Sequence, residues 1–587
     1  MMRPRTTRRL TICMSAVLAM FPLALSAQSP SSSQTDNSDL ATLKAQLAEQ
    51  QKQIDSLKLA LEEQKKLIGQ GAKSQDSTAS TDNASFALPG TKKLGDVAST
   101  TPIIPAAAPV APIAAPIASA AAPLGNAAQP TGGPAGGANP CEQNPEGPTP
   151  AFIRLGSTCL VPIGFMDLTA VWRDKNAASS IGSNFGSVPF NNVANAKLSE
   201  FRFSPQNSRI GFRFDGDWKG THFIGYNEFD FLGTSGSLAL TVTNGAFVPR
   251  LRLFWIDARK GKVEFLAGQS WSMLTPNRRG ISPLPGDLFY SQVMDVNYMA
   301  GLTWTRQPGM RILYHPTKTV TFGFSVENPD QYAGGSGGGS TITAPAAYSA
   351  LVGTQLDNAP NISNSNTVLA IPTLTPDFIA KVAFDPSSRL HIDVAGVERN
   401  FKIVNPNNLF LDQTSTKSGA GVQFGINGEI FKNFRLISTN YWSDGGGRYI
   451  FGQAPDAIIT AAGNLSLLHS GGTVDGFEAR VKNWLLWSYY GGIYIGRDTA
   501  IDAGKTTPTI GYGFPGGSQN RAINEFTIGF TQTIWSNPRY GAITTIGQYE
   551  WLERDPWAVA VGAPKQAHDN TIYFDVRYTL PGSMPAF

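Results

Sequence analysis

Apolar and polar residues alternate along many short segments of residues 151–587. Two of these runs have large apolar side chains at every second position: Ile210, Phe212 and Phe214, and Ile572, Phe574, Val576, Tyr578 and Leu580. The positions between them are mostly polar or charged: Arg209, Arg213 and Asp215, and Tyr573, Asp575, Arg577 and Thr579. A third run is expected to direct Leu251, Leu253 and Trp255 away from Arg250 and Arg252. Since successive side chains of a strand point to opposite faces, the pattern predicts amphipathic β-strands.

Tight turns and longer polar segments alternate between these predicted strands. The tight turns lie near residues 215–220, 259–262, 315–318, 385–388, 431–433, 482–483 and 536–539. These seven turns join fourteen strands, and one further strand at each end gives sixteen. An even number is expected of a single-chain bacterial barrel.

The number of residues in predicted strands distinguishes between two all-β architectures, a soluble β-sandwich and a transmembrane β-barrel. In a soluble β-sandwich the apolar faces form a core, whereas in a transmembrane antiparallel β-barrel they face lipid and the polar faces line a lumen. Roughly 430 residues of strands, without a helical segment, are too many for one sandwich. The sequence therefore predicts a transmembrane barrel of about 16 strands over residues 151–587, wide enough for an aqueous channel.

Five long connections are predicted at the end opposite the tight turns. They cover residues 174–197, 272–296, 328–376, 444–473 and 497–521. The segment from Ser272 to Val296 combines Arg278, Arg279 and Asp287 with two prolines, and we expect it to fold into the lumen. An ordinary surface loop is the alternative.

The first 150 residues have a different pattern. Residues 1–27 combine an Arg-rich start, an apolar stretch and small residues, which predicts a signal peptide cleaved after Ser26 or Ala27; an uncleaved anchor is the alternative. Residues 28–39 are predicted to be disordered. In residues 40–68 a heptad pattern predicts a coiled coil, with a surface helix as the alternative: Leu40, Leu43, Leu47, Gln50, Ile54, Leu57, Leu61, Gln64 and Ile68. Residues 69–150 form a Pro/Ala/Ser-rich linker, so the exported chain would carry an N-terminal arm in the periplasm.

Three cysteines occur in the chain, and Cys13 falls within the predicted signal peptide. Cys141 and Cys159 would then remain in an oxidising compartment, where disulfides persist. We expect these two residues to form a disulfide bond, with two free thiols as the alternative.

Charge and composition narrow the functional classes. Charged residues make up 15% of the chain, against about 25% in ordinary soluble domains. The net charge of +4 equals the four arginines of residues 1–27, so the rest is neutral and gives no support for nucleic-acid binding. The five histidines lack metal-site spacing, and neither a nucleophile elbow nor a phosphate loop is present. We therefore expect no enzyme activity, cofactor or metal; a lipid hydrolase is the remote alternative.

Charged residues at polar positions of neighbouring strands are the candidate site. The basic members, two of which belong to the predicted loop from Ser272 to Val296, are Arg202, Arg209, Arg213, Arg250, Arg252, Arg278 and Arg279. Guanidinium groups bind carboxylates in bidentate fashion, so a ladder of them would attract anions. Facing acids are expected at Glu228, Asp230 and Asp287, which would create a transverse field. Alternatively, these charges only pair with one another along the lumen wall.

Several segments resemble a known family. Residues 208–214, 227–231, 250–253 and 268–272 resemble the opening hairpins of trimeric general porins, and residues 306–311 and 326–329 are similar to DcaP-like porins. The resemblance implies a homotrimer with sixteen strands in each subunit, a third loop folded into each pore, and passage of small solutes such as dicarboxylates. One departure is that Pro581 and Pro585 separate the terminal Phe587 from the last alternating run.

These observations together predict an outer-membrane porin of a Gram-negative-type bacterium. Its partners would be copies of itself, outer-membrane lipid and small anionic solutes, with the cell wall as a further partner of the arm. The alternative is a structural anchor that tethers the outer membrane to the cell wall and has a closed barrel.

Overall fold

The computed structural model describes residues 51, 52, 55, 152–177, 179–233, 247–288, 292–358, 371–405, 414–502, 509–537 and 539–581. The chain divides into two units, Met1–Ala114 and Ala115–Phe587. In the first unit Gln51, Lys52 and Asp55 are helical, and Gln51 Nε2 donates a hydrogen bond to Asp55 Oδ1 at 3.2 Å. The predicted signal peptide, disordered segment, linker and most of the coiled coil lie outside the described residues, so they stay predictions.

The described part of the second unit is built of β-strands. They are β1 (Ile153–Leu155), β2 (Thr158–Arg173), β3 (Glu200–Ser204), β4 (Arg209–Trp218), β5 (Thr221–Gly233), β6 (Val248–Lys260), β7 (Val263–Trp271), β8 (Arg306–Tyr314), β9 (Val320–Glu327), β10 (Asp377–Ser387), β11 (Leu390–Val404), β12 (Thr414–Phe431), β13 (Phe434–Asp444), β14 (Ala457–Ile459), β15 (Leu465–Leu467), β16 (His469–Val481), β17 (Trp484–Ile495), β18 (Asp498–Ile501), β19 (Thr509–Tyr512), β20 (Asn520–Asn537), β21 (Gly541–Pro556) and β22 (Ala567–Thr579). Short 3-10 helices span Phe185–Ser187, Ala194–Lys197, Pro285–Asp287, Ser336–Gly338, Ala346–Leu351 and Gly447–Tyr449. Among the residues described, no helix has the length and apolar character needed to cross a membrane.

The large sheet closes into a barrel. Consecutive strands pair antiparallel around it, and β22 pairs with β2 from Phe165↔Thr579 to Arg173↔Thr571. β3 and β4 both pair with β2 and form two halves of one barrel strand. Together with β5 to β13, β16, β17, β20, β21 and β22 this gives the sixteen strands that the sequence predicts. β1 adds a short hairpin to the start of β2, while β14–β15 and β18–β19 are hairpins within loops.

The two ends of the barrel differ in their connections. All seven predicted tight turns join consecutive barrel strands at one end. In the turn between β4 and β5, Lys219 has φ 49° and Gly220 has φ 75°, the left-handed geometry that matches strand twist in short hairpins. The other end has eight connections, which we number loop 1 to loop 8: residues 174–199, 234–247, 272–305, 328–376, 405–413, 445–468, 496–519 and 557–566. Loops 2, 5 and 8, which are shorter than the others, were not predicted from the sequence.

The alternation seen in the sequence separates an apolar outer wall from a polar inner wall. On β22, Ile572, Phe574 and Val576 are 46–49% exposed, whereas Tyr573 and Asp575 are at most 1% exposed. The same alternation holds on β4, where Ile210 and Phe212 are exposed and Asp215 is buried. An apolar exterior around a closed sheet fits lipid contact and excludes the soluble sandwich.

Strand β6 departs from the predicted alternation. Leu251 is 42% exposed, but Leu253 and Trp255 are buried together with Arg252. In the pairing with β5, Phe229 lies opposite Leu251 and Glu228 lies opposite Leu253, so Arg252 is an extra residue. Such a β-bulge shifts the alternation by one position. The prediction that Leu251, Leu253 and Trp255 share one face was therefore wrong.

The ends of the barrel domain are only partly described. Cys159 is fully buried and disulfide-bonded, while Cys141 lies outside the described residues, so their pairing stays a prediction. At the other end, Leu580 N donates a hydrogen bond to Gly164 O at 3.0 Å, and Phe587 lies beyond the described residues.

Candidate functional site

Loop 3 folds into the lumen, as the sequence predicts. Its backbone N–H groups bond inward-facing side chains of strands on several sides of the barrel. Met273 N donates to Glu327 Oε1 of β9 at 2.8 Å, and Asn277 N donates to Asp393 Oδ2 of β11 at 2.9 Å. Further along, Gln292 N bonds the Tyr489 hydroxyl of β17, and Ala300 N bonds Glu525 Oε2 of β20. Loop 3 therefore crosses the lumen.

Arg252 is the centre of a charged cluster on β4, β5 and β6. Its Nε lies 2.7 Å from Glu228 Oε1 and its Nη1 lies 2.7 Å from Asp230 Oδ2. Its Nη2 donates to the Tyr298 hydroxyl of loop 3 at 2.9 Å. Arg250 binds the same Asp230, with Nη2 to Oδ2 at 2.8 Å, and its side chain is 39% exposed.

The two acids of this cluster do not face the arginines across the lumen. β5 lies between β4 and β6, so Glu228 and Asp230 stand between the arginines on one wall. Arg209 of β4 also approaches Glu228, with Nη1 3.7 Å from Oε1. Glu228 and Asp230 therefore do not face the arginines, and the alternative of paired charges describes these two acids better, while the transverse field itself stays a prediction.

Arg306, at the start of β8, adds a positive charge that was not among the predicted site residues. Its guanidinium lies 5.3 Å from the centre of the Trp271 ring and 5.9 Å from that of Trp304. Within the described residues it forms no ion pair, and its buried Nη1 has no hydrogen-bond partner. The basic wall, defined as Arg209, Glu228, Asp230, Arg250, Arg252 and Arg306, thus holds four cations and two acids.

The remaining predicted basic residues lie elsewhere in the barrel. Arg202 Nη2 lies 2.6 Å from Glu200 Oε2 near the loop end, and Arg213 Nη2 lies 2.6 Å from Asp215 Oδ1 nearer the tight turns. In loop 3, Arg278 forms an ion pair with Glu478 of β16 at 2.7 Å.

The last two predicted charges of loop 3 differ in exposure. Arg279 is exposed. Asp287 is buried, and its backbone carbonyl accepts from Arg278 N at 2.7 Å. Of the predicted set, the structure therefore brings together only Arg209, Glu228, Asp230, Arg250 and Arg252.

A second charged wall, formed by β20, β21 and β22, was missed from the sequence. This acidic wall is defined as Asp295, Glu525, Glu550, Asp569 and Asp575, with Asp295 contributed by loop 3. Ser183 of loop 1 joins two of its members, since its Oγ donates to Glu550 Oε1 at 2.8 Å and its N donates to Asp295 Oδ2 at 2.7 Å. The alternation of Glu525 and Thr527 with the apolar Phe526 and Ile528 could have indicated the inward position of Glu525, but nothing in the sequence indicates the loop contacts.

In the described ranges, no three His, Cys, Asp or Glu side chains are grouped so that they could hold a metal ion.

Comparison with solved structures places this geometry among known folds. The outer-membrane channel DcaP of Acinetobacter baumannii matches with a TM-score of 0.51 and 16% identity, over 73% of this chain and 99% of that chain. The chain has a porin fold. Lower similarity is found to an anion-selective porin from Comamonas acidovorans (TM-score 0.40, 12% identity, 72% and 99% of the two chains) and to OmpT of Vibrio cholerae (0.39, 9%, 73% and 100%). No protein-family model and no curated protein sequence matches this porin-like chain.

Proposed function

We propose that this protein is an outer-membrane porin through which small hydrophilic solutes diffuse, and that it favours anions such as dicarboxylates. The observation that carries the proposal is a closed sixteen-stranded barrel with a polar lumen that loop 3 narrows. Sixteen strands enclose more space than side chains alone can fill. The homotrimer and the periplasmic arm belong to the same proposal and rest on the sequence resemblance.

The anion preference is supported by the composition of the basic wall. Four guanidinium groups are opposed there by two carboxylates, so the wall has a positive excess beside loop 3. Arg306 forms no ion pair in the described structure, and Arg250 keeps much of its side chain exposed. A carboxylate of a solute could bind such groups through charge-assisted hydrogen bonds.

Purified full-length protein in planar lipid bilayers tests the channel. We expect conductance to appear in groups of three equal steps, and in a salt gradient we expect a reversal potential of the sign given by anion selectivity. Bilayers treated with detergent alone are the control. A protein that inserts without conducting would contradict the channel, and a cation-selective reversal potential would contradict the anion preference.

A structural anchor with a closed barrel is the second candidate. It is favoured by the packing of loop residues from five connections into one buried cluster, to which Phe185, Met273, Ala333, Ile450 and Tyr512 belong. Deleting residues 28–150 separates the two functions. A porin keeps its conductance after the deletion, whereas a tether loses binding to purified cell-wall material and never conducts.

A further inference from the structure

Loop 6 also enters the lumen and packs against loop 3. Tyr449 and Ile450 of loop 6 are fully buried. Trp304 N of loop 3 donates to Tyr449 O at 2.8 Å, and Trp304 pairs with Ile450 in a parallel β-bridge. The Phe451 ring stacks on Trp304 with centroids 5.1 Å apart. The two loops therefore share one interface inside the barrel.

Loop 6 is attached to the barrel wall through a buried ionic contact. The Tyr449 hydroxyl donates to Asp377 Oδ2 of β10 at 2.8 Å. Arg399 of β11 joins this acid to loop 6, since its Nε lies 3.1 Å from Asp377 Oδ2 and its Nη1 lies 2.8 Å from Asp456 Oδ1. All of these residues are at most 2% exposed.

Asp456 joins three parts of the structure. Besides Arg399, it accepts hydrogen bonds from Arg448 N of its own loop and from Tyr332 N of loop 4, each at 3.0 Å. Loop 4 continues over loop 6, because Gln453 Nε2 donates to Gly337 O at 3.0 Å and the Tyr332 hydroxyl donates to Gly452 O at 2.7 Å. One carboxylate thus links the wall, loop 4 and loop 6.

None of these contacts belongs to the ladders of the barrel. Loop 6 can therefore leave the lumen without breaking a pair of barrel strands, provided that its attachments to the wall and to loops 3 and 4 release. Removing one partner of a buried ion pair is unfavourable for the state that contains the pair. Without the charge of Asp456, Arg399 would keep Asp377 as its only partner acid among the described residues, and Arg448 N and Tyr332 N would lose a charged acceptor.

We propose that loop 6 forms a second constriction of the solute pathway, next to loop 3, and that the Arg399–Asp456 ion pair is its latch. Both loops enter from the end with the long connections, which faces the exterior in barrels of this type. This inference rests on the proposed channel function and adds a regulatory element to it.

The first test measures conductance of the full-length Asp456→Asn variant. The substitution keeps the shape of the side chain but removes the charge that holds loop 6. We expect the mean conductance or the open probability to rise at least about threefold, since the latched state loses a buried ion pair. Asp498→Asn, which makes the same change in β18 of loop 7, is the matched control and should behave as wild type. Equal conductance of Asp456→Asn and wild type would contradict the latch.

A second test does not depend on conduction. In an Ile450→Cys variant, the buried thiol should react slowly with a charged maleimide added from the extracellular side. Adding Asp456→Asn should accelerate the labelling about tenfold or more, as expected when a buried charge pair is lost. If the wild-type protein does not conduct, the proposed channel function is wrong. The labelling rate still tests whether the Arg399–Asp456 ion pair holds loop 6 in place. An unchanged rate would overturn the latch.

A reversible lock provides the converse test. Trp304 and Ile450 are bridge partners, and paired positions are within the range that a disulfide can span. In the Asp456→Asn background, in which the latch is released, oxidised Trp304→Cys/Ile450→Cys protein should conduct less than the same protein after reduction, whereas wild type should respond less to the reductant. The wild-type control is needed because Cys159 is itself disulfide-bonded. Equal conductance before and after reduction would count against loop 6 as a constriction.

Discussion

The basic wall and the acidic wall of the lumen differ in charge, and Arg250 of the basic wall is more exposed than the two glutamates of the acidic wall. On the basic wall, Arg250 keeps 39% of its side chain exposed. On the acidic wall, Glu525 and Glu550 are fully buried, and their oxygens accept hydrogen bonds from Ala300 of loop 3 and Ser183 of loop 1. We infer that the basic wall acts on solutes, whereas the acidic wall holds the loops in place. Two charged walls of one lumen can thus have different roles: charges that water reaches can select solutes, whereas buried charges can hold loops in place.

The largest expected effect is a loss of stability when the contacts between the acidic wall and the loops are removed. Asp295→Ala removes the acceptor of three hydrogen bonds, from Ser183 N at 2.7 Å, Asn297 N at 2.7 Å and the Tyr573 hydroxyl at 3.1 Å. Buried donors without partners are costly, so we expect a loss of about 3 kcal/mol in unfolding free energy. Denaturant unfolding in detergent measures it. Asp498→Ala is the control, and a loss equal to the control's would contradict a supporting role for the acidic wall.

An intermediate effect, on ion selectivity, is expected from substitutions in the basic wall. Replacing Arg250 and Arg306 together by Gln removes the cation whose side chain is 39% exposed and the cation that forms no ion pair within the described residues. We expect the anion preference in a salt gradient to fall by a factor corresponding to about 1 kcal/mol, because the wall's charges act on a solute through an aqueous lumen of high dielectric and are screened by salt. The stability should change little.

The control for this prediction is Arg213→Gln. Arg213 is a lumen arginine that already has its own carboxylate, Asp215. If Arg213→Gln shifted the reversal potential as much as the double variant, the charge excess of the basic wall would not be the cause.

The smallest effect is expected outside both walls, at Asp330 of loop 4. Burial raises the pKa of this carboxyl group to about 6, and the nearby Asp357 acts in the same direction, while Arg448 and Arg399 oppose the shift. A raised pKa means that the folded state takes up a proton more readily than the unfolded state, so stability should fall as the pH rises from about 4 to about 6.

Comparison with Asp330→Asn isolates this contribution. After solvent screening we expect a difference of at most about 1 kcal/mol between pH 5 and pH 7. Melting curves at the two pH values measure it, and the Asn variant should show a smaller loss towards pH 7 than wild type. Identical pH dependence of the two proteins would contradict the prediction.

The barrel could be predicted from the sequence because the patterns that indicate its strands and turns lie within short segments of the chain. The alternation on β4 and β22, and turns such as that at Lys219 and Gly220, depend on neighbouring residues only. The bulge at Arg252 depends instead on how β6 pairs with β5, which the sequence of β6 alone does not contain. Its consequence was the wrong orientation predicted for Leu253 and Trp255.

The candidate site could be predicted less well, because loops and walls meet over long sequence distances. The contact between Ser183 and Glu550 joins residues separated by 367 positions, and that between Arg278 and Glu478 spans 200. Spacing along the chain carries no signal for such pairs. The inward positions of Arg209, Arg250 and Arg252 could be predicted, but their partners, the role of Arg306 and the entry of loop 6 required the fold.

The pairing of β2 with β22 sets the order in which this molecule can form. Thr169 and Asp575 meet across that seam although 406 positions separate them, and the intervening strands each pair with a neighbour in sequence. Hairpins can assemble early because their contacts are local, whereas the seam must wait for the final strand. Until it closes, β2 and β22 present unpaired edges, which are prone to pair with other chains. A chain that ends before β22 would therefore lack the partner that closes the barrel, and we expect it to be trapped as an open sheet.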